Sequence, residues 1–271
     1  MSDLTREDIQ RIVEELSKDQ PWHHNIELPY GIWTLPDIEE TYAKNISKWE
    51  RINPVINKID LSNSRVLDVG CSDGYYSFEI AKMGPTEVIA IDLNHRRLKK
   101  AEFVKQVLGI KNVTFINKGI EDVAEEKLGH FNISVCLGFL HRYPDPYGLL
   151  QKLATISDCI VLEWKLHRSV EYGFPVMTFA TGHIHGIDEY NVSYWYPTFE
   201  CVIAILKRFG FNQHYPIDDG INKRVALIST RNKNETLDDH YATHSKSIPK
   251  VLKKYTINYL KTVGKVLLGR I

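Results

Sequence analysis

The chain has 271 residues, 34 basic and 34 acidic side chains and 43% hydrophobic content, enough for one large α/β domain with extensions. No apolar run reaches the roughly 18 to 20 residues of a membrane-spanning helix, and the charged opening MSDLTREDIQRIVEELSKDQ does not resemble a signal peptide, so an intracellular, cytoplasmic protein is expected. The neutral total hides an asymmetry: from His240 onward there are six lysines, one arginine and no acid, leaving residues 1–239 with 27 basic against 34 acidic side chains.

In chain order, Thr5 with Asp8 forms a helix-capping pattern, followed by Ile9, Ile12, Val13 and Leu16 at i, i+3, i+4 and i+7. An amphipathic helix opens the chain. PWHHNIELPYGIWTLP reads as irregular and aromatic-rich, and EETYAKNISKWERINPVINKI as helical until Pro54 interrupts it, so residues 1–60 read as an N-terminal helical extension. From Arg65 to about residue 232, strands and helices alternate: RVLDVG, a helix from about Tyr75, EVIAID, HRRLKKAEFVKQVLG, VTFINK, a short helical piece, FNISVCLGF, a helix after Pro146, DCIVLEW, a helix ending at Gly210 and RVALIST. Such alternation predicts a Rossmann-like α/β domain over residues 61–232, a mostly parallel seven-stranded sheet with helices on both faces. Residues 165–196 are expected to insert as a covering segment.

The four cysteines Cys71, Cys136, Cys159 and Cys201 form no CxxC pair and sit in apolar segments, which favours buried free thiols. In RVLDVGCSDGYY an apolar strand runs into a turn bracketed by Gly70 and Gly74, and the second strand ends in Asp92, eighteen residues after Gly74. In a doubly wound sheet the ligand lies beyond the carboxyl ends of the strands, where such an acid takes a ribose. The spacing differs from the G-x-G-x-x-G turn that cradles a pyrophosphate, and the carboxylate of Asp73 would repel phosphate while suiting a cationic amine. An adenosine-type ligand with a cationic group is therefore favoured over a nicotinamide or flavin nucleotide, and over a turn with no ligand.

VLDVGCSDGYYSFEIAKMG, Asp92 in AIDLN, NKGIED and CLGFLHRYPDP together resemble the S-adenosylmethionine methyltransferases of the Rossmann-like class. More narrowly, PWHHNIELPYGI, KWERI, YPTFECVIAILKRFGF and KRVALI resemble, in order, segments of the CmoB-like family, whose enzymes carboxymethylate hydroxyuridine at the tRNA wobble position. The resemblance runs over roughly Pro21 to Ile228 and implies S-adenosyl-L-methionine as cofactor. It implies that Asp68, Gly70, Ser72 and Gly74 shape the methionine and sulfonium pocket and that Asp92 takes the ribose, with Leu93 beside it. Ile120 and Glu121 would meet the adenine edge, and Leu137 and Gly138 the sulfur.

Enzymes of that family use carboxy-S-adenosyl-L-methionine. Matched onto this chain, a carboxylate-contacting lysine falls at His24 and a tyrosine at His141, while Arg224 and Lys48 are retained. A neutral histidine is a poorer fixed cation than lysine, so plain methyl transfer is expected over carboxymethyl transfer. His141, Arg142 and Tyr143, with His183 and His185 of TGHIHG, are the candidates for proton removal and acceptor positioning, His141 foremost. His24, Lys48, Tyr143 and Arg224 count as substrate-binding candidates. No acidic cluster accompanies His23, His24 or the His-x-His, so no metal is expected.

Residues 233–271 read as a basic tail, in which Ile248, Val251, Leu252, Tyr255, Tyr259, Val263, Val266 and Leu267 share one helical face beside five lysines. The tail suits an anionic membrane surface at the inner membrane, the protein's own body or a second subunit, or RNA phosphates, and the acidic body weakens the RNA reading. The expected acceptor is a hydroxyl compound, a surface glycan or glycolipid ahead of tRNA. A cofactor-binding protein without chemistry is the remaining alternative, and the sequence leaves the oligomeric state open.

Overall fold

The computed structural model describes residues 4–35, 39–125, 128–166, 175–181, 193–217 and 224–244. The chain divides into two compact units, Met1–Val135 and Cys136–Ile271.

The first unit opens with α1 (Arg6–Asp19), whose capping box is complete: Asp8 donates its amide to Thr5 Oγ1, and the Asp8 carboxylate accepts from the Thr5 amide. Ile9, Val13 and Leu16 form its buried face. A small antiparallel ribbon, β1 (Glu27–Leu28) and β2 (Ile32–Trp33), precedes α2 (Glu39–Ile56). The sequence reading ends this helix at Pro54, but it runs on to Ile56. So close to the helix end, the donor that proline lacks costs one bond and leaves no long run to disrupt.

Strands β3 (Arg65–Val69), β4 (Glu87–Ile91) and β5 (Val113–Ile116) pair in parallel, with α3 (Tyr75–Ala81), α4 (His95–Leu108) and α5 (Ile120–Glu125) following them in turn. The interiors of β3 and β4 are buried on both faces, which is why they read as unbroken apolar runs. On its other edge β3 pairs in parallel with β6 (Phe131–Leu137), Asp68 opposite Val135.

In the second unit α6 (Pro146–Ile156) starts with proline at its first position and Asp145 as its cap, accepting from the Gly148 amide at 2.9 Å. It leads into β7 (Ser157–Lys165). A separate antiparallel hairpin, β8 (Met177–Thr181) and β9 (Ser193–Pro197), comes before α7 (Phe199–Arg208). The chain then forms β10 (Gln213–Ile217), β11 (Arg224–Thr230) and α8 (Glu235–His244), with β10 and β11 antiparallel to each other and β11 antiparallel to β7. The seven-stranded sheet has the order β10–β11–β7–β6–β3–β4–β5, a Rossmann-like arrangement in which β11, second from one edge, runs antiparallel to its neighbours. All four cysteines are buried thiols. Among the described residues no helix is long and apolar enough to cross a membrane.

Candidate functional site

The first unit gathers its candidates at the carboxyl ends of β3 and β4. The turn after β3 carries left-handed residues at alternate positions, Gly70 (φ 74°), Ser72 (φ 55°) and Gly74 (φ 86°). A left-handed serine is uncommon and costs energy that the surrounding bonds must offset. Those bonds are visible: the Gly70 and Cys71 amides donate to Ile91 O at 2.9 and 3.1 Å, the Ser72 amide to Asp92 Oδ2 at 2.9 Å and the Gly74 amide to Cys71 O at 3.0 Å. With these donors engaged internally, the turn has little to offer a pyrophosphate. A Cβ on Gly74 would lie 2.9 Å from the rings of both Phe78 and Phe115, so that glycine is required by space as well as by φ.

Asp92 joins the two strand ends. Its Oδ2 accepts from Ser72 and its Oδ1 from the Asn94 amide at 2.8 Å, which fixes the carboxylate and leaves one acceptor site on each oxygen. Leu93 beside it is 70% exposed, an apolar face next to a fixed carboxylate. At the start of α5, Ile120 is buried and Glu121 half-buried, and Asp122 accepts the Gly119 amide at 3.0 Å. Asp68 is buried at the end of β3. Burial pushes its carboxyl up to about 7, opposed by a 2.6 Å hydrogen bond from Ser77 Oγ and reinforced by the charge of Asp92. Ser72 Oγ is buried without a hydrogen-bond partner among the described residues. A buried acid of raised pKa, an unsatisfied hydroxyl, a fixed carboxylate and an exposed leucine fit a ligand carrying a cationic centre and a ribose.

Asp73 is engaged differently from the sequence reading, which offers it to a cationic amine. It is fully buried, accepts from the amides of His23 and His24, and pairs with Arg97 at 3.2 Å. The cofactor-type turn is thereby latched to the N-terminal segment. Trp22 Nε1 donates to Val13 O, and Lys100 donates to Gln20 O while lying 5.1 Å from the Trp22 ring. His24 is buried against Tyr75 and Tyr76, with ring centroids 5.9 and 5.2 Å away. Burial first, and then the charges of Lys48 and Arg97, lower its pKa to about 3, so it is neutral at physiological pH. Lys48 lies over the Tyr76 ring at 5.3 Å.

In the second unit, Leu137 is buried at the end of β6, and Gly138 (φ 84°) donates its amide to Glu163 O at 2.9 Å. A 3-10 turn, Leu140–Arg142, follows. In it His141 is fully buried and Arg142 exposed; Tyr143, half-buried, packs on Phe139 at 5.4 Å. Arg224 makes a two-pronged ion pair with Glu163, Nε on Oε1 and Nη2 on Oε2 at 2.7 Å. Glu163 is fully buried in β7. His183, His185 and the tail from residue 245 lie outside the described residues.

Sequence reasoning missed Arg97, Glu163 and Phe179. The acid within the apolar run IVLEW is a signal for Glu163, because a buried charge requires a partner. Nothing local marks Arg97, whose partner is 24 residues away.

Residues 60–161 match the family model of a methyltransferase domain. The chain is 29% identical over 178 residues to the tRNA U34 carboxymethyltransferase of Nautilia profundicola, covering 59% of this chain and 53% of that protein. It is 28% identical over 247 residues to the enzyme of the same name from Desulforapulum autotrophicum, covering 88% and 71%. The chain thus spans about half the length of the Nautilia relative. Among solved structures, the N-terminal domain of EvdMO1 with SAH bound superposes with a TM-score of 0.69 at 21% identity, covering 84% of this chain and 98% of that one. The order of the seven strands and these likenesses agree on a Rossmann-like fold, and over residues 60–161 the chain is similar to methyltransferase domains.

Proposed function

We propose that the protein transfers the methyl group of S-adenosylmethionine to a hydroxyl acceptor, a sugar of a surface glycan or glycolipid. The observation that carries plain methyl over carboxymethyl transfer is the pairing of Arg224 with buried Glu163: a guanidinium already neutralised by a carboxylate attracts a second one weakly. Neutral, buried His24 points the same way.

In this reading Asp68, Gly70, Ser72 and Gly74 hold the methionine and sulfonium part of the cofactor, and Asp92 and Leu93 the ribose and one face of the base. Ile120 and Glu121 meet the adenine edge, and Leu137 and Gly138 the surroundings of the sulfur. The cofactor supplies an electrophilic methyl group on a cationic sulfur, and buried Asp68 is the group that favours such a cation. What remains for the chain is to hold the acceptor oxygen in line and to accept its proton, the roles assigned to His141, Arg142 and His183, with His24, Lys48, Tyr143 and Arg224 around the acceptor. The basic tail would bring the protein to an anionic membrane surface. Failure of the full chain to float with anionic liposomes would remove that part.

A second reading, carboxymethyl transfer to the tRNA wobble uridine, is favoured by the names of the relatives. Incubating the protein with cell extract, methyl-deuterated S-adenosylmethionine and carboxy-S-adenosylmethionine together distinguishes the two. Deuteromethyl groups on a hydroxyl compound are expected; carboxymethyl groups on tRNA would refute the first reading.

A further inference from the structure

The hairpin β8–β9 is a two-stranded sheet of its own, and such a ribbon is barely stable alone. Here it is pinned. Trp195 Nε1 donates to Pro144 O at 3.0 Å, Trp164 Nε1 to Pro197 O at 3.1 Å, and the Thr198 amide to Val176 O at 2.8 Å. Strand β9 packs on the turn Leu140–Arg142 that follows the carboxyl end of β6, and ligands of this class of sheet lie beyond the carboxyl ends of its strands. On one face of the hairpin Phe179 stands opposite Trp195, with ring centroids 4.8 Å apart, and Phe179 is 52% exposed. A pinned ribbon that presents an exposed aromatic ring paired with a second one offers a flat face on which a ligand ring can stack.

The charge of the segment identifies the partner. Strands β8 and β9, MTFAT and SYWYP, carry no charged side chain. Single-stranded nucleic acid stacks its bases on aromatic rings only where a basic groove follows its phosphates. An uncharged ring with apolar C–H faces makes no such demand. Strands MTFAT and SYWYP offer it aromatic faces and hydroxyls.

We propose that Phe179 and Trp195 form the acceptor platform and that the ring lying on it is a neutral sugar. The inference rests on the methyl-transfer reading and adds the residues that take the sugar and the absence of charge on it. The full chain, in the presence of S-adenosylhomocysteine, is tested by saturation-transfer NMR with neutral methyl glycosides of the common hexoses and 6-deoxyhexoses, and with the dinucleotide UpU. Transfer to the ring protons of at least one glycoside is expected, about tenfold weaker binding in Phe179→Ala, and recovery in Phe179→Tyr. Absence of transfer from every glycoside, transfer indifferent to Phe179→Ala, or Phe179-dependent binding of UpU instead would each overturn the proposal. Calorimetric binding of S-adenosylmethionine to the same samples keeps the two failures apart: cofactor binding without sugar binding refutes only the platform, and absence of cofactor binding refutes the reading beneath it.

Discussion

Replacing Asp68 with asparagine should stabilise the ligand-free protein at neutral and alkaline pH while weakening its hold on the cofactor. Burial raises the Asp68 carboxyl from 3.8 to about 7, against the opposing hydrogen bond from Ser77 and with help from the charge of Asp92. The unfolded chain ionises this group near its ordinary value, so between about pH 4 and 7 the folded state binds a proton that the unfolded state does not. Stability from this group is therefore greatest at the acid end and falls by ~1.4 kcal/mol per pH unit as the pH rises, to a full cost of ~4 kcal/mol above pH 7. The Asp68→Asn substitution would remove that cost while keeping a partner for Ser77 Oγ. Urea denaturation of both proteins at about pH 4.5 and about pH 8 measures it, and other titrating groups cancel in the difference. A gain of a few kcal/mol at the higher pH and little at the lower is expected. Equal effects at both would refute a buried, reluctantly ionised acid, and with it the reason given for a cationic ligand there.

Gly74→Ala should cost ~2–4 kcal/mol, because it combines a left-handed alanine with a Cβ 2.9 Å from Phe78 and Phe115; a melting temperature unchanged within error would contradict the geometry. Asp73→Ala should cost ~3–5 kcal/mol by stranding Arg97 and two amides, and should expose the segment around His23 to protease; unaltered digestion would show that the latch does not hold it. Glu163→Gln should leave Arg224 with its positive charge and shift the preference towards carboxy-S-adenosylmethionine by about tenfold. An unchanged ratio of the two affinities would mean that Arg224 does not face the cofactor's carboxylate.

The central strands were legible because β3, β4 and β7 are buried on both faces and therefore unbroken in hydrophobicity, and because Gly109 and Gly210 mark the ends of α4 and α7. The turn at Gly70–Gly74 and Asp92 stood out for the same reason: left-handed backbone and a strand-terminal acid leave local marks. Asp73 did not follow from its neighbours. Its partners arrive from the N-terminal segment and from α4, contacts that depend on tertiary packing. The hairpin β8–β9 was equally hidden, since MTFAT and SYWYP are short and stand eleven residues apart in the sequence, without the two-residue signal of a tight hairpin. Arg224 was visible as a charge, but its neutralisation by Glu163 depends on the register that sets Arg224 opposite Lys165 across β11 and β7.

Calorimetric titration of ligand-stripped protein with S-adenosylmethionine and with carboxy-S-adenosylmethionine in one buffer tests the central claim most directly. Tighter binding of S-adenosylmethionine is predicted from neutral His24 and the Glu163–Arg224 pair. Tighter binding of the carboxy derivative would contradict the account and make tRNA wobble uridine the acceptor to assay.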